Sequence, residues 1–137
     1  MTVLFLTLTM IPMMSIRAEA HHKRGPCPIH WQRPYYERHD VRPVATLIRC
    51  AVRIWPVPGG AAKALEVARC ESGLRPDAYG NGNGGVFQHR LPYWAGRVEL
   101  YIRDRWEMFR GVYNGRTNVI VSIRMAHAGG WGPWSCG

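Results

Sequence analysis

The chain has 137 residues, with 18 lysine or arginine and nine aspartate or glutamate side chains, which give a formal charge of +9 at pH 7. This length predicts one domain at most, with a core large enough to fold unaided. The charge predicts attraction to a polyanion such as nucleic acid, anionic lipid or a bacterial cell wall. The arginines are spread along the chain and form no basic block, which disfavours a nucleic-acid-binding tail.

Residues 1–20 have the pattern of a secretory signal peptide. The run "MTVLFLTLTMIPMMSI" has no charged side chain, and the following "RAEA" provides an Ala-x-Ala site for cleavage after Ala20. The apolar run is shorter than the ~20 residues that a membrane helix needs. Because no basic residue precedes the run, an uncleaved N-terminal anchor is the alternative. No other stretch predicts a stable membrane span, so we expect a secreted protein.

The remaining chain contains four cysteines: Cys27, Cys50, Cys70 and Cys136. An even number in a small exported domain favours two disulfides, of which three pairings are possible. A zinc site is disfavoured, because the sequence has no Cys-x-x-Cys spacing and no His-x-x-x-His pair. We expect neither a metal nor another cofactor.

Residues 21–39 mix proline, aromatic and basic residues without periodicity, which predicts an extended N-terminal arm. The folded domain is expected to span residues 40–137. Its first helix begins after Asp40 as N-cap and ends before Pro56. Apolar residues at steps of three and four form its buried stripe: Val41, Val44, Leu47, Ile48, Ala51, Val52 and Trp55.

A second helix is predicted over residues 61–72, with Gly73 as a left-handed C-cap and Pro76 preventing its continuation. Glu71 falls in the last turn, where the partial negative charge of the helix end disfavours an anion. A solvated helix-end carboxylate is the ordinary interpretation. A functional acid is the alternative, because burial beside Val67 and Cys70 would favour the protonated form that a general acid requires.

The rest of the domain is predicted to be mainly α. A third helix spans Pro92 to about Phe109, interrupted near Gly96, and a fourth begins after a Thr117 cap and ends at Gly129. The glycine-rich loop between the second and third helices forms a short hairpin at most. Its glycines allow a backbone to approach a ligand closely, and the side chains of Asn81 and Asn83 supply amides.

Three motifs in this order resemble the lysozyme-like superfamily, in particular the soluble lytic transglycosylases and resuscitation-promoting factors of secreted actinobacterial type. They are Glu-Ser-Gly at 71–73, Arg-Pro-Asp-Ala at 75–78 and Gly-Val-Phe-Gln at 85–88, with Arg75 in place of the usual asparagine. The closing "NVIVSIRMAHAGGWGPWSCG" is similar to the last helix and tail of such proteins. The resemblance covers roughly residues 57–137.

The resemblance implies an α+β lysozyme-like fold and an enzyme that cleaves the β-1,4 bond between N-acetylmuramic acid and N-acetylglucosamine in peptidoglycan. Its implied partners are glycan strands and the anionic wall surface, bound by a monomer. Glu71 corresponds to the catalytic acid. Gln88 corresponds to the amide that lines the substrate cleft, and Phe87 lies beside it as a further substrate-binding residue. Tyr93 and Trp131 are expected to bind substrate by stacking, and Trp134 is a further stacking candidate, whereas Trp94 is interpreted as a core residue. Asn83 is added to the substrate-binding residues because of its side-chain amide.

Asp77 is the only second acid near Glu71, and we interpret it as a turn residue after Pro76. A single-acid mechanism is therefore favoured over the two carboxylates of most glycosidases. We expect Cys70 to pair with Cys136, which would brace the catalytic helix against the tail, and Cys27 to pair with Cys50.

Two other functions remain open at this point. A non-catalytic secreted wall-binding protein would keep the cleft without activity. A basic antimicrobial or nucleic-acid-binding protein would act by charge alone, with binding that weakens steeply as salt rises and does not depend on Glu71.

Overall fold

The computed structural model describes residues 41–102 and 110–137. The predicted signal peptide, the arm, the Asp40 cap and Cys27 lie outside these residues. Within them, the chain forms four helices and one small sheet. The elements in chain order are α1 (Val41–Ile54), α2 (Gly60–Ser72), β1 (Tyr79–Gly80), β2 (Asn83–Gly84), β3 (His89–Arg90), α3 (Leu91–Tyr101) and α4 (Gly115–Gly129). None of these helices combines the length and the apolar character needed to cross a membrane.

Helix α1 has the buried stripe that its periodicity predicts. Val44, Leu47, Ile48 and Ala51 are fully buried, and the helix packs against α2 and α4. Burial of each large aliphatic side chain contributes about 1.5–3 kcal/mol. The predicted buried stripe of α1 is thus confirmed at these four positions.

Helix α4 is the centre of the domain, because every residue from Gly115 to Ile123 is buried. Its N-cap is Asn114, whose side-chain oxygen accepts a hydrogen bond from the backbone N–H of Thr117 at 3.0 Å. The prediction of Thr117 as the cap is wrong, since the helix begins two residues before it. Asn114 has the extended backbone and the acceptor that an N-cap needs.

Helix α3 begins at Leu91, and Pro92 lies in its first turn, where a missing N–H costs nothing. It continues through Gly96 without the expected interruption and ends at Tyr101. Ile102 is extended, with φ −117° and ψ 113°, so a single helix reaching Phe109 is wrong. Residues 103–109 lie outside the described ranges.

The glycine-rich loop forms a three-stranded antiparallel sheet in the order β1-β2-β3. Tyr79 pairs with Gly84 and Gly80 with Asn83. The two residues between these strands, Asn81 and Gly82, both have positive φ (51° and 76°), as Asn-Gly has in tight hairpins. The expectation of a short hairpin at most is wrong, because β3 pairs with β2 and adds a third strand. The domain is α-rich with one small sheet, in agreement with the mainly α, α+β expectation.

Candidate active site

A cleft of about 340 Å³ lies where the end of α2, the small sheet, the start of α3 and the C-terminal tail meet. Four of the six site residues predicted from the sequence line it: Glu71, Asn83, Gln88 and Tyr93. The lining residues are Glu71, Asn83, Gln88, Arg90, Tyr93, Arg97, Pro133, Trp134 and Ser135.

Glu71 projects from the last turn of α2 because the helix stops immediately after it. Gly73 has φ 66° and donates its N–H to the carbonyls of Ala68 and Arg69, which confirms the predicted left-handed cap. The half-buried Glu71 accepts two hydrogen bonds through Oε1, from Ser135 Oγ at 3.2 Å and from the backbone N–H of Cys136 at 3.3 Å. The tail thus holds Oε1 of Glu71, whereas Oε2 has no partner among the described residues.

A disulfide holds the tail against α2. Cys70 and Cys136 are bonded, with their Cα atoms 6.1 Å apart, which confirms the expected pairing. Cys50 is also disulfide-bonded; Cys27, its expected partner, lies outside the described residues. Because Cys70 directly precedes Glu71, the bond fixes the carboxylate and its two donors in the same place.

Gln88 lies in the cleft and also stabilises the loop that carries it. Its Nε2 donates to the carbonyls of Ala78 at 3.1 Å and Gly85 at 2.9 Å. The backbone of Gln88 has φ 46°, a conformation that is uncommon for a residue other than glycine. Since the amide N–H groups are engaged, Oε1 is the group that Gln88 offers to a ligand, as an acceptor.

Tyr93 and Asn83 also line the cleft as the sequence predicts. Tyr93 is 60% exposed, so one face of its ring is available to stack on a ligand. Asn83 is in β2, paired with Arg90 of β3. The two side chains thus come from the sheet and from the first turn of α3.

Phe87 and Trp131 do not line the cleft, which corrects their assignment as substrate-binding residues. Phe87 is fully buried and Trp131 is 7% exposed, and their rings stack with centroids 6.2 Å apart. The Trp131 indole N–H donates to the carbonyl of Pro58 at 2.8 Å. Both side chains belong to the core beneath the site. Trp134, a further stacking candidate, does line the cleft, and its indole N–H donates to the carbonyl of Phe87 at 3.0 Å.

Sequence reasoning did not single out Arg90, Arg97, Pro133 or Ser135. Arg97 stands four residues after Tyr93 in α3, and residues at this spacing share a helix face. That spacing was a signal that could have found it. Nothing local marks the other three, because only the folded sheet and the disulfide bring them to the cleft.

Arg97 is the end of a buried hydrogen-bond chain. Arg97 Nη1 lies 2.7 Å from Nδ1 of His89, and His89 Nε2 lies 2.7 Å from Oγ of Ser122. Because a guanidinium only donates, Nδ1 accepts and Nε2 carries the ring proton. Ser122 Oγ in turn donates to the backbone carbonyl of Asn118 at 2.7 Å. Burial, reinforced by the charge of Arg97, lowers the pKa of His89 to about 3, so this histidine is neutral.

Asp77 does not line the cleft. Its Oδ1 lies 3.4 Å from Nε of Arg75, an ion pair on the loop surface. Glu71 is the only acidic side chain that lines the cleft in the described part of the chain. The geometry thus favours the interpretation of Asp77 as a turn residue and leaves one acid at the site.

Comparisons of the chain with models of protein families, with curated protein sequences and with solved structures give no match. Within residues 41–102 and 110–137, no group of three or more histidine, cysteine or acidic side chains is placed to hold a metal ion.

Proposed function

We propose that this chain is a secreted peptidoglycan-cleaving enzyme, a lytic transglycosylase or muramidase with Glu71 as general acid and base. One observation carries the proposal: Glu71 shares a cleft with Gln88, Asn83 and Tyr93, three of the residues predicted from the sequence to bind substrate. A free carboxyl oxygen, amides and an exposed aromatic ring are groups suited to bind and cleave an N-acetylated glycan.

In this mechanism, Glu71 donates a proton through Oε2 to the glycosidic oxygen as the bond from that oxygen to C1 breaks. The electron pair of the bond stays on the departing sugar oxygen, and C1 acquires oxocarbenium character. The N-acetyl group of the substrate or fixed dipoles of the cleft stabilise that charge. Ser135 Oγ and the Cys136 N–H stabilise the carboxylate that remains on Glu71, because hydrogen bonds to a charged acceptor are the stronger ones.

The carboxylate then accepts a proton from the nucleophile that bonds to C1. If this is the 6-hydroxyl of the same sugar, the product is a 1,6-anhydro sugar; if it is water, the product is a reducing sugar. The absence of a second acid among the described lining residues favours this single-acid scheme over one with two carboxylates.

A non-catalytic wall-binding protein is the second candidate, and the contacts of Glu71 are the observation that favours it. A carboxylate that accepts hydrogen bonds from Ser135 and Cys136 helps to hold the tail even if it transfers no proton. The two functions differ in one respect that can be measured: only the enzyme releases soluble sugar from the wall.

The test is the Glu71→Gln variant in a clearing assay on purified peptidoglycan. The amide keeps an oxygen that accepts from Ser135 and Cys136 but cannot donate a carboxyl proton. We therefore expect an unchanged fold and a loss of activity of at least about 100-fold, the usual contribution of general acid catalysis. Glu66→Gln is the matched control, because Glu66 is on the same helix, is exposed and pairs with Lys63.

Near-wild-type clearing by Glu71→Gln would refute the proposal, whereas no clearing by the wild type would favour the binding protein. Asp77→Asn separates the two mechanisms. The single-acid scheme predicts that this variant keeps most of its activity, and a loss as large as that of Glu71→Gln would indicate a two-carboxylate mechanism.

A further inference from the structure

The cleft contains two cations that the proposed chemistry does not use. Arg90 is exposed on β3, and Arg97 is half-buried on α3. With Glu71 as the one acid in the described lining, the cleft has an excess of positive charge. A neutral glycan backbone gives no reason for this excess.

Arg97 has no carboxylate partner in the described part of the chain. Of its five N–H donors, one is engaged by His89. The guanidinium also lies 5.8 Å from the ring centroid of Tyr93. Neither contact supplies a negative charge, because His89 is buried and neutral.

Removing this cation from water is unfavourable. Burial, the largest effect, lowers the pKa of Arg97, although the guanidinium remains charged. A charge that is partly removed from water is stabilised by an opposite charge placed beside it. The chain of bonds from His89 to Ser122 fixes Arg97 at the cleft instead of letting it turn to solvent. Its free donors are therefore held at the cleft, and no side chain in residues 41–102 or 110–137 supplies a counter-charge to them.

We propose that Arg97, assisted by Arg90, forms an oxyanion-binding subsite of the cleft that receives a substrate carboxylate. The inference rests on the proposed function for the identity of that substrate. Carboxylates on the muramic acid and on its peptide distinguish peptidoglycan from a neutral glycan such as chitin. Arg97 thus selects the muramyl side of the substrate, and a planar guanidinium suits a carboxylate because it can donate two parallel hydrogen bonds.

The experiment is a titration of the full wild-type protein with two monosaccharides, followed by NMR of the Gln88 side-chain amide. N-acetylmuramic acid and N-acetylglucosamine differ in the lactyl group that carries the carboxylate, and neither contains a bond to cleave. We expect the acid to bind about tenfold or more tightly, the effect of one hydrogen bond to a charged group. Arg97→Gln should remove this preference and leave the affinity for N-acetylglucosamine unchanged.

If Arg97→Gln is poorly folded, two further variants test the same subsite, one inside the cleft and one outside it. Arg90→Gln removes an exposed cation of the cleft and should weaken binding of the acid in the same direction. Arg53→Gln removes an exposed cation from the last turn of α1, outside the cleft, and should have no effect. Equal affinity of the wild type for the two sugars, or an equal effect of the Arg90 and Arg53 changes, would overturn the proposal.

A titration with inorganic phosphate tests whether the anion that binds at this subsite is a carboxylate or a phosphate. Tighter binding of phosphate than of N-acetylmuramic acid at the same residues would overturn the assignment to a carboxylate and indicate a wall phosphate instead. Since no step of the titration requires turnover, a protein that binds the acid through Arg97 but never clears peptidoglycan would refute the proposed function and leave the subsite intact.

Discussion

At the scale of single residues, the unusual position of Glu71 is explained by its tertiary contacts. An acid in the last turn gains nothing from the helix, whose C-terminal end carries partial negative charge. The donors that stabilise it come from Ser135 and Cys136, more than 60 residues later in the sequence. The site thus depends on a tail that no local pattern around Glu71 reveals.

His89 is the residue whose protonation should couple to the stability of the site. The unfolded chain binds a proton at His89 below pH 6.5, whereas the folded chain binds it only near pH 3. Between these values the unfolded state holds one more proton, so the free energy of unfolding falls as the pH falls, by about 1.4 kcal/mol per pH unit. The contribution is complete above pH 6.5 and is lost toward pH 3.

Urea unfolding of the wild type and His89→Gln at pH 4 to 7 measures this coupling. The glutamine variant should lack this part of the pH dependence, so the difference in stability between the two proteins should shrink as the pH falls. An NMR titration of the His89 ring with a midpoint near 6.5 would contradict the prediction.

The motifs predicted Glu71 and Gln88 as site residues, because their positions follow from short spacings in the sequence. The Arg97–His89–Ser122 chain could not be predicted in the same way. Ser122 is 33 residues from His89, and only the packing of α4 against β3 and α3 brings their side chains together.

At the scale of elements, the loop that carries Gln88 is held by one buried asparagine of α4. Asn118 accepts from the N–H of Phe87 at 2.9 Å and donates to the carbonyls of Val112 at 2.9 Å and Gly84 at 3.4 Å. Gly85 lies so close to this amide that a Cβ atom there would collide with it. A loop can approach α4 this closely only with glycine at that position.

Gly85→Ala should therefore destabilise the protein more than Gly82→Ala. Both glycines have a similar positive φ, 80° and 76°, so alanine is strained by about 1 kcal/mol at either position. Gly82 has open space around it, whereas Gly85 faces Asn118. Overpacking should add about 1–3 kcal/mol to the cost at Gly85 alone.

The two variants are compared by urea unfolding, and the Gln88 amide resonances report whether the loop has moved. Equal destabilisation by the two changes would show that Asn118 does not anchor the loop.

The helices α1 and α2 could be predicted from the sequence, because each buries apolar side chains that recur at steps of three or four residues. The end of α3 could not, because the carbonyl of its last residue, Tyr101, accepts a hydrogen bond from Arg124 of α4, 23 residues later. A tertiary contact of this kind can override local propensity. The cap of α4 was a local signal that the prediction missed, since asparagine is a strongly preferred N-cap and Asn114 lies only three residues before Thr117.

At the scale of the whole molecule, a disulfide joins the C-terminal tail to the end of α2, and the tail thereby forms one side of the cleft. The Cys70–Cys136 disulfide closes a loop of 66 residues that contains the sheet, α3 and α4. A crosslink of this length stabilises a domain by about 4 kcal/mol on chain-entropy arguments. It also fixes Trp134 and Ser135 as part of the cleft.

Replacing both cysteines by serine should lower stability and activity together. We expect the unfolding free energy to fall by about 2–5 kcal/mol. Peptidoglycan clearing should fall under conditions where the variant remains folded, because the donors to Glu71 are released. The double variant leaves the disulfide of Cys50 in place, unlike treatment with a reducing agent. Full clearing by the folded variant would show that the tail is not needed for the site.

Whether Glu71 is the catalytic acid is decided by the mass spectrum of soluble products from purified sacculi incubated with the wild type and with Glu71→Gln. We expect the wild type to release muropeptides cut between N-acetylmuramic acid and N-acetylglucosamine, and the variant to release none. Products lighter by one water than the hydrolytic ones would identify the anhydro route. The same products from both proteins, or no products from the wild type, would contradict the assignment of Glu71 as the catalytic acid.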